Sequence, residues 1–315
     1  MQRHLAFWFD DGSLLVPTSS YICKIHEPLL TRHSPTCSSW IVVASSSQFS
    51  HLSNHAELSI PVLNIPHDAG VTPEDFEVLL EHLYHDTPLN HSTQYSRLAS
   101  LLRISSPKQL HIPSLYSQVC AYLALMFPGG YAPFALRHPQ EHLMQALELA
   151  MELAIDLPKT KKAILYSVAA TTDFDPTGAH DPAGLQLSDP TKISSTEPHL
   201  SLRTLRICHH LLSSIISDFT PLLFTVGSTS HMECTDVLAD RWMSVVISPA
   251  LADGGVGKPL ETLYRMSEWN WKEEGICDSC IQGKKDEWEI EARAVWEKMD
   301  GWIAAAENEF TSGAA

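Results

Sequence analysis

The sequence predicts an α+β fold in which a small sheet covered by helices is followed by an all-helical C-terminal domain. Three observations predict it. Short apolar, β-branched runs are confined to the segment before Pro66, turn signals separate them, and helical spacing of apolar residues governs the rest of the chain.

Apolar residues flank Asp10-Asp11-Gly12, a sharp-turn signal, and Tyr21-Ile22-Cys23-Lys24-Ile25 has a strand-like rhythm. Strands are therefore expected at 6–9, 13–17 and 21–25. A short helix entering the core follows at Glu27 to Thr31. Ser38 to Asn54 is rich in serine and β-branched residues, poor helix formers, so a loop or a poorly formed helix is the expectation there. Val62-Leu63-Asn64-Ile65 reads as a further strand that Pro66 ends. Thr72 as a cap, Pro73 in the first turn and Asp75 three residues after the cap open a helix. Its predicted buried stripe is Phe76, Leu79, Leu80 and Leu83. Two more helices follow, one around Tyr95 to Leu102 and one around Leu115 to Met126. Pro128-Gly129-Gly130 then marks a boundary.

At 315 residues, with 44% hydrophobic residues, the chain can form two domains, since domains commonly run about 100–200 residues. The boundaries read from these signals are 5–127 for the first domain and 128–302 for the helical one. Residues 172–199, punctuated by Pro176, Gly178, Pro182, Gly184, Pro190 and Pro198, read as a flexible loop, and 303–315 as a frayed tail.

Acidic residues outnumber basic ones, 37 to 21, for a formal charge of -16 that repels phosphate backbones. Nucleic acid is thus not an expected partner. Lys159-Thr160-Lys161-Lys162 and Lys284-Lys285 read as solvated helix ends. Asp10-Asp11 interrupts the apolar start too early for a secretory signal. Apolar runs such as Tyr122 to Phe127 fall short of the roughly 18 residues a membrane span needs, so no membrane association is expected. Seven scattered cysteines fit free thiols or a metal site better than a disulfide framework, and a cytoplasmic or nuclear location follows.

Few motifs carry chemistry. Gly254-Gly255-Val256-Gly257-Lys258 fails as a phosphate loop, because Ala252 replaces the opening glycine and Pro259 stands where a magnesium-holding hydroxyl belongs. His26, at a strand-to-helix junction before an apolar pair, reads as a structural histidine and not a catalytic base. The sharpest feature is Cys277-Asp278-Ser279-Cys280. Three readings stand: thiols filling small buried sites, half of a zinc site, or a redox dithiol, the last lacking a thioredoxin-like strand context. In the zinc reading Cys277 and Cys280 are joined by Cys234 and by either Cys208 or His209.

The order of Tyr21-x-x-x-Ile25-His26-x-x-Leu29-Leu30-x-x-His33-Ser34-Pro35, a strand, then Phe76-x-x-Leu79-Leu80-x-x-Leu83-Tyr84 and a closing helix pair resembles a BTB/POZ domain over residues 5–127. Phe7-Trp8-Phe9-Asp10-Asp11-Gly12 and the distant Cys-x-x-Cys resemble the branch abundant in mushroom-forming fungi. The resemblance implies a non-enzymatic scaffold or adaptor that binds proteins through this domain, with a second copy or a cullin among the partners. It allows a substrate-adaptor role in a cullin-type ubiquitin ligase. A nuclear transcriptional co-regulator is the alternative, and an enzyme with a site in the helical domain is the third reading.

Overall fold

The structure, a computed structural model, describes residues 2–42, 60–85, 87–90, 92–129, 142–153, 157–171 and 200–312. It is mixed α+β, with a five-stranded sheet and a mostly helical remainder. Contacts divide it into two compact units, Met1–Leu125 and Met126–Ala315. The loop expected at 172–199 lies outside the described residues, as does most of the segment 38–54.

In the first unit, β1 (Gln2–Trp8), β2 (Leu14–Pro17), β3 (Tyr21–Ile25), β4 (Ile41–Val42) and β5 (Val62–Leu63) lie in the order β1-β3-β2-β5-β4. β2 is antiparallel to β3, with Leu14 opposite Ile25, while β1 runs parallel to β3 on its other side. The turn after β1 therefore has to carry the chain across β3. It crosses at Gly12, where a Cβ would come within 2.9 Å of the Lys24 backbone, so only glycine fits without displacement. Phe9 N–H donates to Lys24 O and Ser13 N–H to Ile25 O on either side of the crossing. Because β2 and β3 are central, Leu14, Leu15, Val16, Ile22, Cys23 and Ile25 are all buried, which is why these strands read as apolar runs more than as strict alternation.

The helices of this unit are α1 (Glu27–Thr31), α2 (Pro35–Trp40), α3 (Pro73–Leu83), α4 (Tyr95–Ser105) and α5 (Pro113–Met126). α2 takes up the start of the segment expected to be a loop or a poorly formed helix. Ser34 caps it by accepting from Cys37 N–H at 3.0 Å, and the same hydroxyl donates to Leu110 O, so a buried tie fixes a segment of weak intrinsic propensity. Thr72 caps α3 by accepting from Asp75 N–H. Phe76, Leu79 and Leu80 are fully buried, whereas Leu83, expected in the core, is half-buried. Asp75 is buried too. Arg103 of α4 grips it through two nitrogens, at 2.8 and 2.7 Å.

The second unit is helical among its described residues: α6 (Leu143–Glu152), α7 (Pro158–Ala169), α8 (Leu202–Phe224), α9 (Met232–Trp242), a π-turn at Met243–Ile247, α10 (Ser248–Ala252), α11 (Pro259–Glu268) and α12 (Asp278–Ser312). By length and composition α8 could cross a membrane, a property hidden in the sequence because Arg206 and Asp218 break its apolar runs. Its buried residues Thr204, Ile207, Cys208, Leu211, Ile215, Phe219 and Leu223 recur every three or four positions, the stripe of a bundle helix, and it packs on α12.

Two expectations are corrected here. The tail begun at 303 is helix through Ser312, because Ile303 and Ala306 continue the buried stripe of Trp288, Ala292, Val295, Trp296 and Met299, and Glu307 pairs with Lys161. Nor are both basic clusters wholly solvated. Lys162 is buried with Asp300 Oδ2 at 2.7 Å and lies 4.5 Å over the Trp296 ring, and Lys284 is buried against Glu287.

Candidate metal centre

Two helix starts converge in the second unit. α9 begins just after His231, and Thr229 organises that entry by donating its hydroxyl to His231 O at 2.8 Å and its N–H to Thr235 Oγ1 at 2.9 Å. α12 begins just after Cys277. The chain reaches it through a turn in which Gly275 takes φ +104, a left-handed conformation suited to glycine, and Ile276 N–H donates to Trp271 O. The Trp271 indole is buried and donates to Met266 O at 2.7 Å, anchoring the turn to α11. Arg241 Nε meets Glu274 Oε2 at 2.9 Å, a further tie between the end of α9 and that turn.

His231, Cys234, Cys277 and Cys280 consequently bring one ligand atom each into a group whose members all lie within 4.8 Å of one another. Cys234 Sγ is 3.7 Å from Cys277 Sγ, and His231 Nδ1 is 3.2 Å from Cys277 Sγ and 3.5 Å from Cys280 Sγ. A tetrahedral zinc ion with Zn–S of about 2.3 Å and Zn–N of about 2.0–2.1 Å has S–S edges of about 3.8 Å and N–S edges of about 3.5 Å. These three separations lie at or slightly inside those edges. The cluster can therefore hold a metal ion.

The site's electrostatics lower two of its three thiols and raise the third, Cys234, where a lowering backbone hydrogen bond at Cys277 is outweighed by burial and by contacts with Cys277 and Cys280. The Ser230 hydroxyl, 3.3 Å from Cys280 Sγ, is the first cause of a Cys280 pKa brought down to about 6, and Ser279 beside Cys277 Sγ lowers that thiol as well. Its contact with Cys277 raises the pKa of His231. A bound cation would favour the deprotonated form of every ligand. Cys234 and Cys280 are buried, Cys277 is half-buried, and His231 is exposed.

The structure joins three of the residues proposed from sequence, Cys234, Cys277 and Cys280, and does not bring in the other two. Cys208 and His209 stand outside the group on α8. Cys208 is buried, and that burial, with the Glu148 carboxylate nearby, pushes its thiol up to about 12. The fourth place belongs to His231, which sequence reasoning missed. Its signal was spacing: His231-x-x-Cys234 repeats the interval of Cys277-x-x-Cys280, and each pair straddles the first turn of a helix.

His26 forms the other notable polar set. Its Nδ1 is 2.9 Å from Tyr84 Oη, its Nε2 3.3 Å from Asp11 Oδ2, and its backbone N–H donates to Tyr84 Oη at 3.2 Å. The ring thus clamps the β1–β2 turn and the end of α3 to the strand–helix junction. A cavity of about 310 Å³ in the second unit is lined by Leu222, Trp242, Lys284, Glu287, Trp288 and other residues, but Lys284 is already paired with Glu287. No family model, curated protein or solved structure matches the chain.

Proposed function

We propose that the chain is a non-enzymatic protein-interaction adaptor of BTB/POZ type whose helical unit is stapled by a structural zinc ion held by His231, Cys234, Cys277 and Cys280. The observation that carries the metal reading is the agreement of the 3.7, 3.5 and 3.2 Å separations with the edges of a tetrahedral three-sulfur, one-nitrogen site. Four protein ligands leave no open position for substrate, so the ion's role is to fix the start of α9 against the start of α12.

The adaptor reading draws its support from the order of the sequence elements between residues 5 and 127 and from the small sheet with accompanying helices in the first unit. In this reading the first unit binds a partner by burying an apolar patch within a polar rim. Recruitment to a cullin-type ubiquitin ligase, with the helical unit holding the substrate, is the form proposed. Affinity purification of the intact chain, with identification of what co-purifies, tests it. Cullin and ubiquitin-pathway proteins are the expected result. Chromatin proteins would favour a nuclear transcriptional co-regulator instead, and turnover of a small molecule traced to the helical unit would overturn the non-enzymatic reading.

A further inference from the structure

The four ligands differ in how far solvent reaches them. Cys234 and Cys280 are buried. Cys277 is half-buried, at the end of a turn and just ahead of α12, with exposed Asp278 and Ser279 following it. It is the least buried of the cluster's three cysteines. Its neighbour across the helix interface, Cys234, has its sulfur 3.7 Å away. A disulfide would bring the two sulfurs to roughly 2.05 Å, and the bond would join the same two helix starts that the metal would join.

We propose that Cys277 is a peroxide-reactive modification site with Cys234 as its resolving partner, so that oxidation exchanges a zinc staple for a disulfide staple between α9 and α12. The proposal rests on the zinc reading above. The Cys277 thiolate attacks one oxygen of hydrogen peroxide, the O–O bond breaks, and a sulfenic acid forms as hydroxide leaves and is protonated to water. The Cys234 thiolate then attacks Cys277 Sγ. An S–S bond forms, the S–O bond breaks, and a second hydroxide leaves and is protonated. Two thiolates lose two electrons, one peroxide becomes two waters, and two protons come from solvent. Only Cys280 and His231 remain as ligands, too few to retain zinc, so one ion is released per chain.

The remaining cysteines are poor competitors. Cys23, Cys37 and Cys208 are buried, and burial also raises the thiol pKa of half-buried Cys120, keeping it in the less reactive protonated form.

The test uses the zinc-loaded full-length chain, hydrogen peroxide as the only oxidant, a chromophoric chelator to count released zinc, and differential alkylation with mass spectrometry to map disulfides. One zinc released per chain, in step with a peptide pair joining Cys234 to Cys277, is the expected result. In Cys234→Ser a dimedone adduct should accumulate on Cys277 in place of the bridge. If the chain contains no zinc as purified and takes up none, the metal reading fails and takes this inference with it. If zinc is bound but peroxide leaves Cys277 reduced, or links it mainly to Cys280, this inference fails while the metal reading stands.

Discussion

Cys234 Sγ and Cys277 Sγ lie 3.7 Å apart although 43 residues separate them in the chain. Closing so long a loop is entropically unfavourable, and two thiolates at that distance repel. A shared cation would convert the repulsion into attraction and make binding free energy part of the stability of the helical unit. The same logic predicts what removing the cation does. A strong chelator should strip hydrogen-exchange protection from the start of α9 and the start of α12 and leave α3 and α4 unchanged. Affinity for zinc should fall as pH falls, because the ligands must be deprotonated. Equal loss of protection in both units after chelation would contradict this assignment.

Leu80 is fully buried on α3 beside Phe76 and Leu79. Replacing it with Ala should cost about 2–5 kcal/mol, the range for large-to-small core substitutions. Urea denaturation of the full chain, followed with a probe placed in the first unit, measures it. A change below about 0.5 kcal/mol would mean that this face of α3 bears no core.

The Asp75–Arg103 pair makes an asymmetric prediction. Asp75 has a side chain only 2% exposed, whereas that of Arg103 is 35% exposed. Arg103→Ala leaves a buried carboxylate without its counter-charge and should cost about 3 kcal/mol. Thr72→Ala removes only the cap to Asp75 N–H and should cost about 1 kcal/mol. If the cap proved to be the more expensive loss, the pair would not be the tie between α3 and α4.

Burial holds the Glu261 carboxyl above the ordinary carboxylate range, even though the buried Tyr166 hydroxyl donates to it. The folded chain therefore keeps this proton to higher pH than the unfolded chain does. Its contribution to stability is full below the unfolded pKa, declines as pH rises through the window up to the raised folded value, and stays lower above it. Gln cannot ionise, so Glu261→Gln should gain in melting temperature relative to the natural chain as pH rises from the ordinary glutamate value of about 4.3 through the raised folded value, then hold the advantage. Melting curves that shift in parallel across that range would contradict the buried carboxyl.

Much of the architecture could be read from sequence because local and tertiary signals agreed. Thr72-Pro73 begins α3 as its cap chemistry predicts, and the runs 14–17 and 21–25 are strands. Where they disagreed, tertiary contacts prevailed. α2 has weak propensity, yet the Ser34 hydroxyl both caps it and reaches Leu110 O, a partner 76 residues away that no local pattern displays. The Ala- and Glu-rich segment after 302 looked like a tail because its apolar residues are sparse, but Ile303 and Ala306 keep the helical interval of the preceding stripe. At the candidate metal centre Cys277 and Cys280 were legible from the Cys-x-x-Cys spacing, with Cys234 as a more distant thiol. Choosing Cys208 or His209 treated ligand type as the guide, when the position of a residue at a helix start decides which atoms can meet. His231 meets that condition one turn before Cys234.

The most direct test is X-ray absorption at the zinc edge on the purified full-length chain, with metal content measured on the same sample. One zinc per chain, with a first shell of three sulfurs at about 2.3 Å and one nitrogen at about 2.0 Å, is the predicted result. Changing His231 to Ala should remove the nitrogen from that shell, while Cys208→Ala should leave the spectrum unaltered. A chain that takes up no zinc, or a shell dominated by oxygen and nitrogen, would contradict the assignment of His231, Cys234, Cys277 and Cys280 as the metal site.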